Sequence, residues 1–198
     1  MPRKSPSSRV PRSAPANAGA NPIFFPPGSL YAVRARTLLG RLPPLAGAPI
    51  SLFPAAGLCD GAREVHAGSF LRRRSIAFNC RRGEFARICV HELFHFVWLR
   101  LGNQRRRSYE DILRKERAAA ARGELGWSAE WRKRGLSPRD VETRTRRWRQ
   151  YCCESFCDTA AWIYSGVPRH EEFTLACKFR ERRRAWFRRL TSGALLPI

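Results

Sequence analysis

The chain has 198 residues, 43% of them hydrophobic, and its 38 Lys and Arg stand against 16 Asp and Glu, for a formal net charge of +22. That length and apolar content suit one domain with its own core, while no run approaches the roughly 18 apolar residues that a membrane span requires. Membrane insertion is not expected, and an anionic partner is favoured.

Residues 1–22 (MPRKSPSSRVPRSAPANAGANP) carry Pro, Ser, Ala and Arg with too few apolar groups to offset the entropy of ordering, which predicts a disordered basic arm. Its composition is shared with organellar transit peptides, but Pro2, Pro6, Pro11 and Pro15 oppose an amphipathic helix there. The seven cysteines, an odd number with no CxxC pair, read as reduced and mostly structural, and together with the missing apolar leader they suggest a cytoplasmic protein. Residues 23–198 are expected to form a single domain. Leu30, Val33, Leu38 and Leu39 lie near helical spacing behind Ser29, so a first helix is predicted within 28–42, stopping before Pro43 and Pro44. The β-branched or aromatic runs 48–54 and 69–79 predict a small sheet of about three strands, with Arg72, Arg73 and Arg74 as a hairpin turn or as exposed strand positions.

From 84 to 101 the pattern is a strongly apolar helix, central and buried, which Gly102-Asn103 would end as a left-handed cap. Residues 103–136 are charged, carry Trp127 and Trp131 and hold one helical stretch around 108–122; they look like a basic insertion or lid more than core. Ser137-Pro138 with Asp140 starts a long helix, with room for a break, that Gly166-Val167-Pro168 stops. The last helix is predicted at about 171–190.

ICVHELFHFV (88–97) sets His91 and His95 four apart around Glu92 in a run that is otherwise apolar. On a helix both imidazoles stand on one face and can reach a single ion at about 2.0–2.1 Å, with Glu92 beside them. This is the HExxH arrangement, in which the ion acts as a Lewis acid and the glutamate takes the proton of the attacking water. Composition alone would produce it in roughly one such chain in two hundred. A glutamate on a buried helix is also costly unless it is neutralised or partnered, so a metal centre accounts for the pattern better than chance.

A zinc site needs a third protein ligand. Trp98 and Leu101 stand where a metzincin would carry Gly and His, and no histidine occurs between His95 and His170. The third ligand is therefore His170 or a carboxylate. In YCCESFCDTAAWIYSG (151–166), Glu154 and Asp158 share one helical face in a segment otherwise nearly empty of charge, a pairing better explained by a cation than by solvent. Among the rivals, Glu124 and Glu130 lie in a glycine- and charge-rich stretch suited to solvent, and Glu142 stands among Arg139, Arg144, Arg146 and Arg147.

These residues resemble the gluzincin metallopeptidases, in which HExxH on one helix is completed by the glutamate of an ExxxD motif on a later one. The resemblance implies a Zn2+ cofactor held by His91, His95 and Glu154, with Glu92 as general base and Asp158 orienting a histidine from behind. The strand-to-helix run at 67–96 is similar to that of minimal ImmA/IrrE-type members, and the likeness covers about 67–165. It implies an α+β, zincin-like fold, mostly helical with a small sheet packed on the HExxH helix, and hydrolysis of peptide bonds in a peptide or protein substrate.

His170, Tyr151 and Tyr164 are candidates for stabilising a transition-state oxyanion, although the exposed start of a helix suits His170 better and the core suits the tyrosines. Cys153 and Cys157, at i and i+4, could bind a metal, but they are offset from the Glu154 face and read better as packing. Trp127, Trp131 and Trp148 among arginines could stack on bases, with part burial the simpler expectation. The alternative function is a basic nucleic-acid-binding module with a structural or vestigial metal site, and a third reading joins the two as a protease held on nucleic acid or on an acidic protein by its arginines. Only Lys4, Lys115, Lys133 and Lys178 are lysines, so coding bias also contributes to the charge.

Overall fold

Alternation in ISLFP buries Ile50 and Leu52 and exposes Ser51 and Phe53, which leaves one face of that strand open, whereas all four residues of SIAF are buried, as in a strand covered on both faces. The computed structural model describes residues 23–24, 32–60, 63–79, 83–193 and 195–198; the arm expected over 1–22 lies outside them. Through the first part of the chain the elements are β1 Ile23–Phe24, α1 Ala32–Leu39, β2 Leu45–Ala46, β3 Ile50–Pro54, β4 Cys59–Asp60, β5 Arg63–Glu64, β6 Ala67–Phe70 and β7 Ser75–Phe78. Helices then dominate: α2 Phe85–Arg100, α3 Asn103–Ala118, α4 Trp127–Arg134, α5 Pro138–Glu142, α6 Arg146–Tyr164 and α7 Cys177–Thr191, before the short β8 Leu196–Pro197.

The fold is mixed α+β. Its main sheet has the order β1-β3-β7-β6, with β6 antiparallel to β7 and the other pairs parallel. A 3-10 turn at Leu71–Arg73 and Arg74 in the left-handed region (φ 49°) close the β6–β7 hairpin, so the arginines are its turn. Arg74 is held there by its guanidinium, which donates to the Pro49 and Ile198 carbonyls at 3.2 Å each. That tie brings the chain end to the sheet, where β8 pairs with β2.

Helix α2 packs against β6 and, more extensively, against α6. Between α2, α3, α6 and α7 lies an aromatic core in which Phe156 stacks on Phe187 (5.0 Å) and meets Phe94, Tyr109 and Trp186. The left-handed cap expected at Gly102 is absent. Leu101 is extended (φ −61°, ψ 127°) and buried, and Gly102 (φ −59°) instead precedes α3, so burial of Leu101 turns the chain. The long helix expected after Ser137 is broken, as Arg144 takes φ 50° between α5 and α6. Ser137 and Asp140 form a reciprocal cap on α5, and Thr145 caps α6.

The stretch 103–136, expected to look like an insertion or lid more than core, contributes residues to the core. Tyr109, Leu113, Leu125 and Ala129 are core residues, and Glu110, Glu116 and Glu124 are buried with them. The reason is a buried ion network: Arg183 of α7 bonds Glu116 at 2.6 Å and Glu124 at 2.7 Å, Lys133 reaches Glu124 at 3.1 Å, and the Tyr151 hydroxyl donates to Glu124 at 2.6 Å. Two carboxylates meet two cations, so each charge is compensated inside the protein. Truncation of Arg183 to Ala would leave both glutamates short of their partner, and unfolding in denaturant should reveal a loss of roughly 3–5 kcal/mol; an unchanged midpoint would show that the network is not stabilising.

Candidate metal centre

One turn of α2 separates His91 from His95, and the facing turns of α6 carry Glu154 and Asp158. His91 shares its Nδ1 proton with Asp158 Oδ1 at 2.7 Å. Engaging Nδ1 turns Nε2 to the other side of the ring, where it lies 3.2 Å from His95 Nε2 and 3.3 Å from Glu154 Oε2. Donor atoms held by one tetrahedral ion at zinc distances are about 3.3 Å apart, so both spacings measured from His91 Nε2 match those of such an ion. Glu92 is beside them: one ligand atom each from His91, Glu92 and His95 falls within 4.8 Å of the others.

Neighbouring elements hold these side chains in place. Ser69 on β6 donates its hydroxyl to Glu92 Oε2 at 2.5 Å and is also within 2.8 Å of the Glu92 carbonyl. Asp158 Oδ2 accepts the Ala129 N–H at 3.1 Å, and Glu172 accepts the Trp127 N–H at 2.8 Å, so two carboxylates satisfy the N-terminal donors of α4. This approach requires Gly126, because a Cβ there would overlap the Asp158 carboxylate. Glu154 presents Oε2 toward His91 and gives Oε1 to Arg132 of α4 at 3.2 Å. His95 Nδ1 meets Cys153 Sγ at 3.4 Å.

The electrostatics favour positive charge at the two imidazoles. Burial disfavours a protonated His91, but the Asp158 carboxylate, helped by Glu154 and Glu92, more than offsets it and holds the pKa well above the ordinary value. Burial likewise opposes charge on His95, yet the Cys153 sulfur and Glu154 raise its pKa to about 9. For Glu154 burial works upward, but His91, His95 and Arg132 bring the carboxyl down to about 2. A proton on each imidazole, or a metal cation between them, satisfies the same need.

The structure thus brings His91, Glu92, His95, Glu154 and Asp158 together. The three proposed oxyanion stabilisers have other partners. Tyr151 has its hydroxyl committed to Glu124 in the buried network. Tyr164 stacks on Phe94 at 5.5 Å, within the aromatic core. His170 pairs with Glu84 at 3.3 Å, in a cluster with Arg87 and Glu172 near the start of α2, about two turns from His91. Of the rival carboxylates, Glu124 is buried and paired, contrary to its solvent-suited sequence, and Glu130 pairs with Arg134 at 3.0 Å. Cys153 is not simple packing. Trp148 is fully buried, whereas Trp127 and Trp131 are 55% and 69% exposed, more open than their apolar character predicted.

Sequence reasoning missed Ser69, Gly126 and Arg132, and it set Cys153 aside as packing. Cys153 was within reach, being one position before Glu154 on the same helix; the others depend on how β6 and α4 sit against the motif helices, which no local pattern encodes. Gly126→Ala should displace Asp158 and, like Asp158→Asn, weaken zinc binding by roughly 10- to 100-fold in a competition assay, with wild-type affinity counting against the geometry. Because a metal must displace protons that His91 and His95 hold to high pH, apparent zinc affinity should climb as pH rises from 6 toward 9. Calorimetry in buffers of different ionisation enthalpy should detect the released protons, and pH-independent affinity would contradict the raised histidine values. The chain as a whole matches no family model, no curated protein and no solved structure, so the functional reading rests on this donor set and its geometry.

Proposed function

We propose that the protein is a zinc-dependent peptidase of the gluzincin type. The observation that carries this reading is the paired support of one histidine: His91 has Asp158 on Nδ1 at 2.7 Å, while its Nε2 has Glu154 at 3.3 Å and His95 Nε2 at 3.2 Å. His91, His95 and Glu154 would hold the ion, which when bound polarises a substrate carbonyl and acidifies water. Glu92, fixed by Ser69, accepts a proton from the water that adds to the carbonyl carbon and returns it to the departing amine as the C–N bond breaks. Strand β6 is last in the sheet order, which leaves one side of it without a strand partner among the described residues. Since Ser69 lies on that strand, an extended peptide added alongside it would pass beside Glu92.

A second reading draws on the exposed tryptophans. Trp127 and Trp131 stand one turn apart on α4, and the Arg132 guanidinium lies 5.9 Å from the Trp131 ring centre. Aromatic faces beside cations in a chain of net charge +22 suit single-stranded nucleic acid, which could be a partner that localises the peptidase or the ligand of a binding module without activity.

Glu92→Gln should keep about one zinc per chain and lose hydrolysis of a casein or peptide-library substrate, because an amide cannot accept the proton; retained hydrolysis would remove the enzyme reading. Glu154→Ala should lose zinc while His170→Ala keeps it, and the reverse pattern, read by metal analysis, would make the centre a three-histidine site. For the second reading, oligo(dT) binding should weaken steeply with salt, and Trp127→Ala with Trp131→Ala should lower it by about 10-fold or more. Equal affinity in that double variant would leave arginine electrostatics as the whole of the interaction.

A further inference from the structure

His95 has two ring nitrogens, and the structure surrounds both of them with metal-ligating atoms. Nε2 faces His91, while Nδ1 faces Cys153 Sγ at 3.4 Å. One turn farther along α6 stands the buried Cys157 thiol. One ligand atom each from His95, Cys153 and Cys157 lies within 4.8 Å of the others. An imidazole nitrogen and a thiolate on one tetrahedral ion are separated by about 3.6 Å at zinc distances, close to the spacing observed. The sulfurs sit four residues apart on a helix, the same interval that lets His91 and His95 share an ion.

We propose that His95, Cys153 and Cys157 form a second metal site, specific for thiophilic cations such as Cd2+ or Cu+, and that this site competes with the first for His95. The selectivity follows from ligand softness: two thiolates and an imidazole favour polarizable ions, whereas two imidazoles and a carboxylate suit zinc. The competition follows from the ring itself. A neutral imidazole has one lone pair, on Nε2 or on Nδ1, and the other nitrogen carries the proton. With the lone pair on Nε2, His95 serves the centre it shares with His91. A thiophilic ion takes two thiolates, whose protons pass to solvent, and claims Nδ1; the ring proton then resides on Nε2, which withdraws His95 from its partner. The thiolate site stands independently, and only the competition rests on the zinc reading above.

Titration of the chelator-treated full-length chain with Cd2+ tests the site directly. The expected result is a thiolate-to-cadmium charge-transfer absorption in the near ultraviolet that saturates at about one Cd2+ per chain and disappears in Cys157→Ser. Cys157 does not touch the first centre's ligand atoms, so that variant should still take up zinc. In the wild-type chain Cd2+ should also shield the partly exposed Cys153 from maleimide, mapped by mass spectrometry, while the exposed Cys59 and Cys177 react with or without the ion. This footprint needs no variant and decides the matter if Cys157→Ser fails to fold. Absence of the band, its survival in Cys157→Ser, or unchanged labelling of Cys153 would overturn the site. Zinc-loaded protein should release its zinc to a chromogenic indicator as the band grows, and a full band without release would overturn the sharing of His95. A chain that never binds zinc yet develops the band would sink the peptidase reading and leave the thiolate site standing.

Discussion

Charge buried between two helices is the constraint on which this molecule turns. His91 and His95 project from the most apolar stretch of α2, and Glu154 and Asp158 meet them from α6. An ionised carboxylate taken from water into such a setting is strongly destabilising unless a cation or several hydrogen bonds meet it. Here each carboxylate has two partners: Asp158 has His91 and the Ala129 amide, and Glu154 has His91 and Arg132. The interface between the two helices is therefore held by electrostatic complementarity on one side and by the Phe94, Phe156 and Phe187 aromatic packing on the other.

The second buried network anchors the parts that the first one needs. Arg183 draws α7, α3 and the segment around Glu124 together, and Lys133 ties α4 to the same carboxylate. Helix α4 is consequently fixed at both ends, by Lys133 near its C-terminus and by Asp158 and Glu172 at its N-terminus. A helix of eight residues has little intrinsic stability, so these external contacts decide its position. Its place in turn sets Arg132 against Glu154 and leaves Trp127 and Trp131 facing outward. One short helix thus links the candidate ligands to the surface.

The two ring nitrogens of a histidine are chemically distinct only because of what surrounds them. His91 has a hard carboxylate behind it and His95 a soft sulfur, although both come from the same helix four residues apart. A carboxylate behind an imidazole increases its basicity and commits it to one tautomer. A thiol is the weaker partner, so the second histidine is the one whose tautomer is open to change. This asymmetry is a property of α6, where Cys153 and Asp158 occupy corresponding places against α2.

Sequence alone determined the motif helix and the completing helix, because their signals are local. HExxH in an apolar run and a carboxylate pair in a charge-poor run each follow from the 3.6-residue period. The hairpin turn at Arg72–Arg74 and the break near Arg144 were legible as alternatives, and backbone conformation selected between them. Tertiary structure alone decided the fate of residues 103–136, since the burial of Glu116 and Glu124 depends on Arg183, which is 67 and 59 positions away. The same holds for Ser69 and Arg132: a serine in a strand and an arginine in a basic stretch carry no mark of their partners, and only the packing of β6 and α4 on the motif helices places them there. Periodicity encodes which face of an element is buried, whereas the identity of what buries it is fixed by contacts between residues far apart in the chain.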